Sequence, residues 1–160
     1  MNTMAFRFDL DSGSKGDWFP FVGSTINGSD EKGEPKIEYL EPEKDAGRVK
    51  VRLADSEQMD RIHGQTRKKV SEYVHNPKTR QMERVFSFEQ TPEQERRERE
   101  LTWDYAIEDW ENILDGQGQP IPCTPENKLK MMNIPVFARF ISRCIQILSD
   151  KTGKAELEKN

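Results

Sequence analysis

Cysteine and histidine are scarce in this chain, two of each in 160 residues. Cys123 and Cys144 cannot build a disulfide framework and are expected to stay reduced. With His63 and His75 they stand singly and far apart in sequence, without the close pairs from which a zinc site draws its ligands, so no metal or cofactor is expected. A Cys–His nucleophilic pair has no local support either. No run approaches the roughly 18 to 20 apolar residues that cross a bilayer. The opening "MNTMAFRFDLDSG" lacks the basic start and apolar stretch of a signal peptide. The expectation is a cytosolic chain with no membrane partner and no internal repeat. Apolar side chains are also few, 33% of the chain against 34% charged. That is a thin supply for one large core, and it points to solvated parts or to surface covered only in an assembly.

The formal charge is -4, so the chain as a whole does not attract polyanions. The local balance differs. Residues 61–84 carry Arg61, Arg67, Lys68, Lys69, Lys78, Arg80 and Arg84 against Glu72 and Glu83. This is the one stretch suited to nucleic acid, and it includes Tyr73, His75 and Phe86, yet it holds no recognisable RNA-binding or helix-turn-helix signature. Nucleic acid is therefore not the expected partner; an acidic protein surface suits such a run as well.

Patterning predicts an α+β chain, a small N-terminal antiparallel β-sheet followed by a helical C-terminal part. Over residues 1–55, "AFRFDL", "DWFPFV", "PKIEYLEP" and "GRVKVRLA" read as short strands, with Val49, Val51 and Leu53 on one face and the proline-bearing strand at an edge. "GSTINGSDEKGEP" and "EPEKDAG" read as loops. Residues 56–90 form a basic region: a helix behind a cap at Asp55 or Ser56, then a hairpin turning around Asn76 and Pro77.

Residues 91–150 are the helical region. "TPEQ" places a threonine cap, a proline at the first helical position and a glutamine at the third, a capping box. Trp103, Ala106, Ile107, Trp110, Ile113 and Leu114 then recur at three- and four-residue steps, which predicts one helix face ending at Asp115-Gly116. Thr124 and Pro125 start the next helix. Asn133 to Pro135 interrupts it, and Phe137, Phe140, Ile141, Cys144, Ile145 and Leu148 resume an amphipathic pattern. A short connection favours an antiparallel helix pair. Residues 151–160 read as a charged flexible tail.

The corner "DGQGQPIPCTPEN" invites chemistry but fails on counting. A calcium loop needs several oxygen ligands and a closing glutamate, whereas "DGQGQPIP" supplies one carboxylate. "GQG" has neither the spacing nor the lysine of a phosphate loop. Glu108, Asp109, Glu111 and Asp115 read as the solvated flank of a helix rather than paired catalytic acids, so no enzyme is expected. What remains is aromatic. Trp103, Tyr105, Trp110, Phe137 and Phe140, with Arg139 and Arg143 on the polar side of the last helix, are the candidate partner-binding residues; most of the rings also suit a core, and Tyr105 lies partly outside the stripe.

From Tyr105 to Ile141 the chain resembles the C-terminal signature of small phage and prophage tail-module proteins known as tail assembly chaperones. Asp109, Trp110, Glu111, Ile113, Asp115, Gly118, Pro120, Pro122, Thr124, Glu126 and Asn127 follow that order, with Asn112 where glycine is common. "GRVKVRLADSEQMDRI" is similar to the entry of such proteins into their helical part. The resemblance implies no catalysis. It implies a host-cytoplasmic protein that keeps a tape measure protein, or another tail protein such as the tail tube, soluble during tail assembly. A structural connector or completion protein, a nucleic-acid-associated factor using residues 61–84, and a homo-oligomer stay open beside it.

Overall fold

The computed structural model describes residues 15–158, with side chains through Lys151; "AFRFDL" lies outside the described residues. The chain divides into two compact units, one of Met1–Asp55 with Trp103–Asn160 and the other of Ser56–Thr102.

In the first unit, β1 (Asp17–Pro20), β4 (Arg48–Val51) and β7 (Ile107–Glu111) make an antiparallel sheet in the order β1-β4-β7. Pro20 thus sits on an edge strand, where a missing N–H is harmless. β4 alternates in the expected way: Val49 and Val51 are fully buried, while the Arg48 and Lys50 side chains form ion pairs with Glu111 and Glu108 of β7 at 2.7 and 3.4 Å. Its Arg48 hydrogen bond holds the Glu111 carboxyl below the usual carboxylate range.

β7 replaces the expected continuation of the third-last helix. That helix, α2 (Pro92–Ala106), stops at Ala106, and the next five residues pair with β4. The reason is a bulge. Val51 faces Ile107 but Lys50 faces Asp109, so Glu108 is an extra residue. One extra residue lets Ile107 and Trp110, three apart, both turn inward from a strand, and that three-residue step imitates a helix. The expected antiparallel helix pair is therefore not formed around the corner, which joins a strand to a helix instead.

Residues read as loop chemistry form a second departure. Ser24–Ser29 is strand β2, paired with β3 (Pro35–Tyr39) in a hairpin. Asp30 closes its turn by accepting the Lys32 and Glu34 amides at 2.9 and 2.8 Å. The two-stranded hairpin is fastened to the last helix by Arg139 Nε, which donates to Ser24 Oγ at 2.8 Å, and by the Arg143 guanidinium, 4.4 Å from the Tyr39 ring centre.

Helices α3 (Pro125–Met132) and α4 (Pro135–Glu158) complete the unit. Thr124 caps α3 by accepting the Asn127 amide at 3.2 Å. α4 lays Phe137, Phe140, Ile141, Cys144 and Leu148 into one cluster with Val49, Val51, Ile107 and Trp110. It extends through Glu158, into the stretch read as a flexible tail, whose Lys, Ala, Glu and Leu residues are good helix formers.

The second unit contains α1 (Ser56–Thr66), the hairpin β5 (Lys68–Asn76) and β6 (Gln81–Glu89), and most of α2. Thr91 and Gln94 form the capping box, each side chain bonding the other's amide at 3.1 and 2.9 Å. A polar knot binds α1 to α2: the Glu98 carboxylate accepts from Arg67 Nε at 2.9 Å and lies 3.1 Å from His63 Nε2.

Candidate functional site

The corner is built from its own backbone. Asp115 Oδ1 accepts the amides of Gln117 and Gln119 at 2.8 and 2.9 Å, and Gly118 takes a positive φ of 79° that an L side chain resists. Asp115 Oδ1 thereby closes the turn. The indole Nε1–H of Trp110 donates to the Ile121 carbonyl at 2.6 Å, and Asn127 Nδ2 donates to the Pro122 carbonyl at 2.9 Å. These bonds bind the corner to the strand before it and the helix after it.

Asn112 has a φ of 55°, in the left-handed region that glycine enters freely and asparagine tolerates. That explains why the position suits glycine. Its side chain donates to the Asp45 carbonyl at 2.8 Å. The neighbouring backbone approaches so closely that a Cβ on Gly47 would stand 2.5 Å from the Asn112 carbonyl oxygen and 2.6 Å from Ile113 Cδ1.

The candidate partner residues separate into two groups. Trp110, Phe137 and Phe140 are core residues, exposed by 6, 1 and 2%; Phe137 meets Trp110 edge-on with ring centres 6.2 Å apart. All three pack in the core of the unit, and Phe137 also reaches the floor of a surface cleft. Trp103 is partly buried against the same cluster. Tyr105 is half-buried, with the Arg52 guanidinium 3.9 Å above its ring. Arg139 and Arg143 serve the β2–β3 hairpin. Lys128 is 8% exposed, and its Nζ bonds the Asp104 carbonyl and carboxylate at 3.0 and 3.1 Å.

A cleft of about 530 Å³ opens beside the corner in this unit. Leu40, Leu114 and Ile134 border it, exposed by 53, 49 and 45%, over a floor that includes Phe21 and Phe137. Glu41, Glu43 and Asp45 stand on the same wall. Sequence reasoning missed Leu114 and Ile134 as surface residues. The signal was their position: each adjoins a turn former, Asp115 or Pro135, where a helical face cannot continue. Cys123 is half-buried, and burial pushes its thiol up from the ordinary range. Among the described residues no group of three His, Cys, Asp or Glu side chains could hold a metal ion, and no helix is long and apolar enough to cross a membrane.

The geometry thus defines a mixed α+β protein of two small units, with an apolar cleft in one. The family model of the YdaY prophage protein matches residues 55–158, more than half of the chain, and the chain belongs to that family. No curated protein and no solved structure matches it.

Proposed function

We propose that the chain is a non-enzymatic tail assembly chaperone of a prophage, working in the host cytoplasm, and that its cleft holds an apolar helical segment of a tail protein such as the tape measure protein. One observation carries the reading: Leu40, Leu114 and Ile134 stay exposed around a concave apolar surface whose wall bears Glu41, Glu43 and Asp45. Apolar helices lie in such grooves through a few anchors, and the acids favour a segment with basic flanks. Membership in a prophage protein family is consistent with this role, as is the resemblance of the segment from Tyr105 to Ile141.

Co-expression with a long, helix-rich tail protein encoded in the same prophage tests it. The expected outcome is a raised soluble yield of that protein and its co-purification with the chain, both lost in Leu114→Glu and Ile134→Glu variants that keep the wild-type circular dichroism. An unchanged yield would overturn the proposal. Mass spectrometry of purified particles separates a departing chaperone from a completion protein, which stays.

A further inference from the structure

The β5–β6 hairpin sorts its side chains by chemistry. Its register opposes Lys69 to Phe88, Ser71 to Phe86, Tyr73 to Arg84 and His75 to Met82, so these eight residues share one face of the ribbon. All the hairpin's aromatic rings are there, with Lys69 and Arg84 and no carboxylate. The opposite face carries Glu72, Glu83 and Glu89 against Lys68. The rings are in water: Tyr73, Phe86 and Phe88 are exposed by 68, 53 and 64%. The turn at the hairpin's tip adds Lys78 and Arg80, both exposed.

We propose that this face is a platform for single-stranded nucleic acid, a surface distinct from the cleft. Lys69 Nζ and the Arg84 guanidinium stand 4.6 and 4.9 Å from the centre of the Phe86 ring. Both cations therefore gather around the middle ring, while Tyr73 and Phe88 remain on either side of it. Tyr73 is level with Arg84, and Phe88 lies four residues farther along β6, about 13 Å away at the usual rise of a strand. Ring, cations, ring is the order in which a single strand presents base, phosphate, base. Every base has a π face, so such a surface binds with little sequence preference. A duplex keeps its bases stacked and would use only the cations; an acidic peptide would leave the rings idle. The contiguous basic stretch is not the footprint, because Arg61 pairs with Glu57 and Arg67 with Glu98. Period-two selection within residues 68–89 is.

Fluorescence anisotropy of the full chain with a labelled thymidine oligonucleotide, its uridine counterpart and a duplex of equal length provides the test. Either single strand should bind more tightly than the duplex, and the stronger of the two names the natural ligand. The logarithm of affinity should fall with that of salt with a slope of about -1.5 to -3, as expected for two to four phosphate contacts on a single strand. Tyr73→Ala or Phe88→Ala, both on exposed sites, should each weaken binding about 5- to 100-fold, and Lys69→Gln should flatten the slope. Val85→Ala on the other face should change nothing. No binding at low salt, equal binding of the duplex, insensitivity to both ring substitutions, or equal competition by poly-glutamate would each overturn the proposal. So would concentration-dependent self-association abolished by Arg84→Glu, which would assign the face to a second copy of the chain.

Discussion

Replacing Trp110 by phenylalanine tests whether the indole, rather than its bulk alone, holds the corner in place. The ring is 6% exposed and lies edge-on to Phe137, so phenylalanine keeps much of the packing and loses the second ring, a cost of about 1–2 kcal/mol. It also removes the 2.6 Å bond to the Ile121 carbonyl. A lost hydrogen bond that strands a partly buried acceptor adds about 1–2 kcal/mol. The sum, about 2–4 kcal/mol, is a large part of the stability of an ordinary domain, and at roughly 2–4 °C per kcal/mol for a chain of this size Tm should fall by about 5–15 °C. Calorimetry measures the total. Amide exchange then separates the two contributions: the Ile121 amide, bonded to the Ile113 carbonyl at 2.8 Å, should lose more protection in Trp110→Phe than in Phe137→Leu, which disturbs the same core but leaves the indole bond. Equal protection of Ile121 in the two variants, at equal loss of global stability, would refute the reasoning.

Three further outcomes follow from the same unit. Gly47→Ala should destabilise by about 2–4 kcal/mol in a urea titration, because its Cβ meets the Asn112 backbone carbonyl as well as the end of the Ile113 side chain, and the backbone cannot swing aside, whereas Gly116→Ala, with open space around it, should stay within about 1 kcal/mol. Lys128→Met should cost about 1–2 kcal/mol by the same assay; the partner Asp104 is 41% exposed at its side chain, so water takes up part of what the ammonium leaves. Burial pushes the Cys144 thiol up to about 12 from the ordinary 9.0. The unfolded chain therefore gives up this proton near pH 9 while the folded chain keeps it, so the contribution is complete below pH 9 and is lost as pH rises towards 12. Cys144→Ala should flatten the alkaline fall of stability, and Ellman's reagent at pH 8 should leave Cys144 unmodified until the chain is unfolded.

Local signals were legible where the chemistry is local. Thr91 with Gln94, and Thr124 with Pro125, announce helix starts because a cap is satisfied within one turn. Pro20 announces an edge strand, and Asn76-Pro77 a hairpin tip, for similar reasons. The failures share a different cause. Ile107 and Trp110 obey a helical step that a bulge reproduces, and only the distant partner β4 decides between the two. Ser24 to Ser29 has a loop's composition, yet it is drawn into a strand by pairing with β3 and by Arg139 and Arg143 of α4. Of the candidate partner residues, those with the strongest periodicity are buried, since periodicity reports the face that meets the core. Leu114 keeps the helical step yet lies past the end of β7, and Ile134 falls in the interruption from Asn133 to Pro135; both border the cleft.

The residues matched by the family model bear on how the two surfaces are built. Residues 55–158 contain the whole β5–β6 hairpin, and they contain β7, the corner, α3 and α4. They leave out β1 to β4, and with them Phe21 of the cleft's floor and Leu40, Glu41, Glu43 and Asp45 beside it. The hairpin face is thus complete within the family segment, whereas the cleft needs a wall supplied from outside it. β7 cannot hold Trp110 inward without β4, because the bulge that turns Ile107 and Trp110 to the same side exists only in that pairing. The segment before residue 55 therefore does two jobs at once: it completes the sheet on which the corner rests, and it brings the leucine and the three acids that line the cleft. A chain with the same residues 55–158 and a different start would keep the ribbon and its rings, but present a different groove.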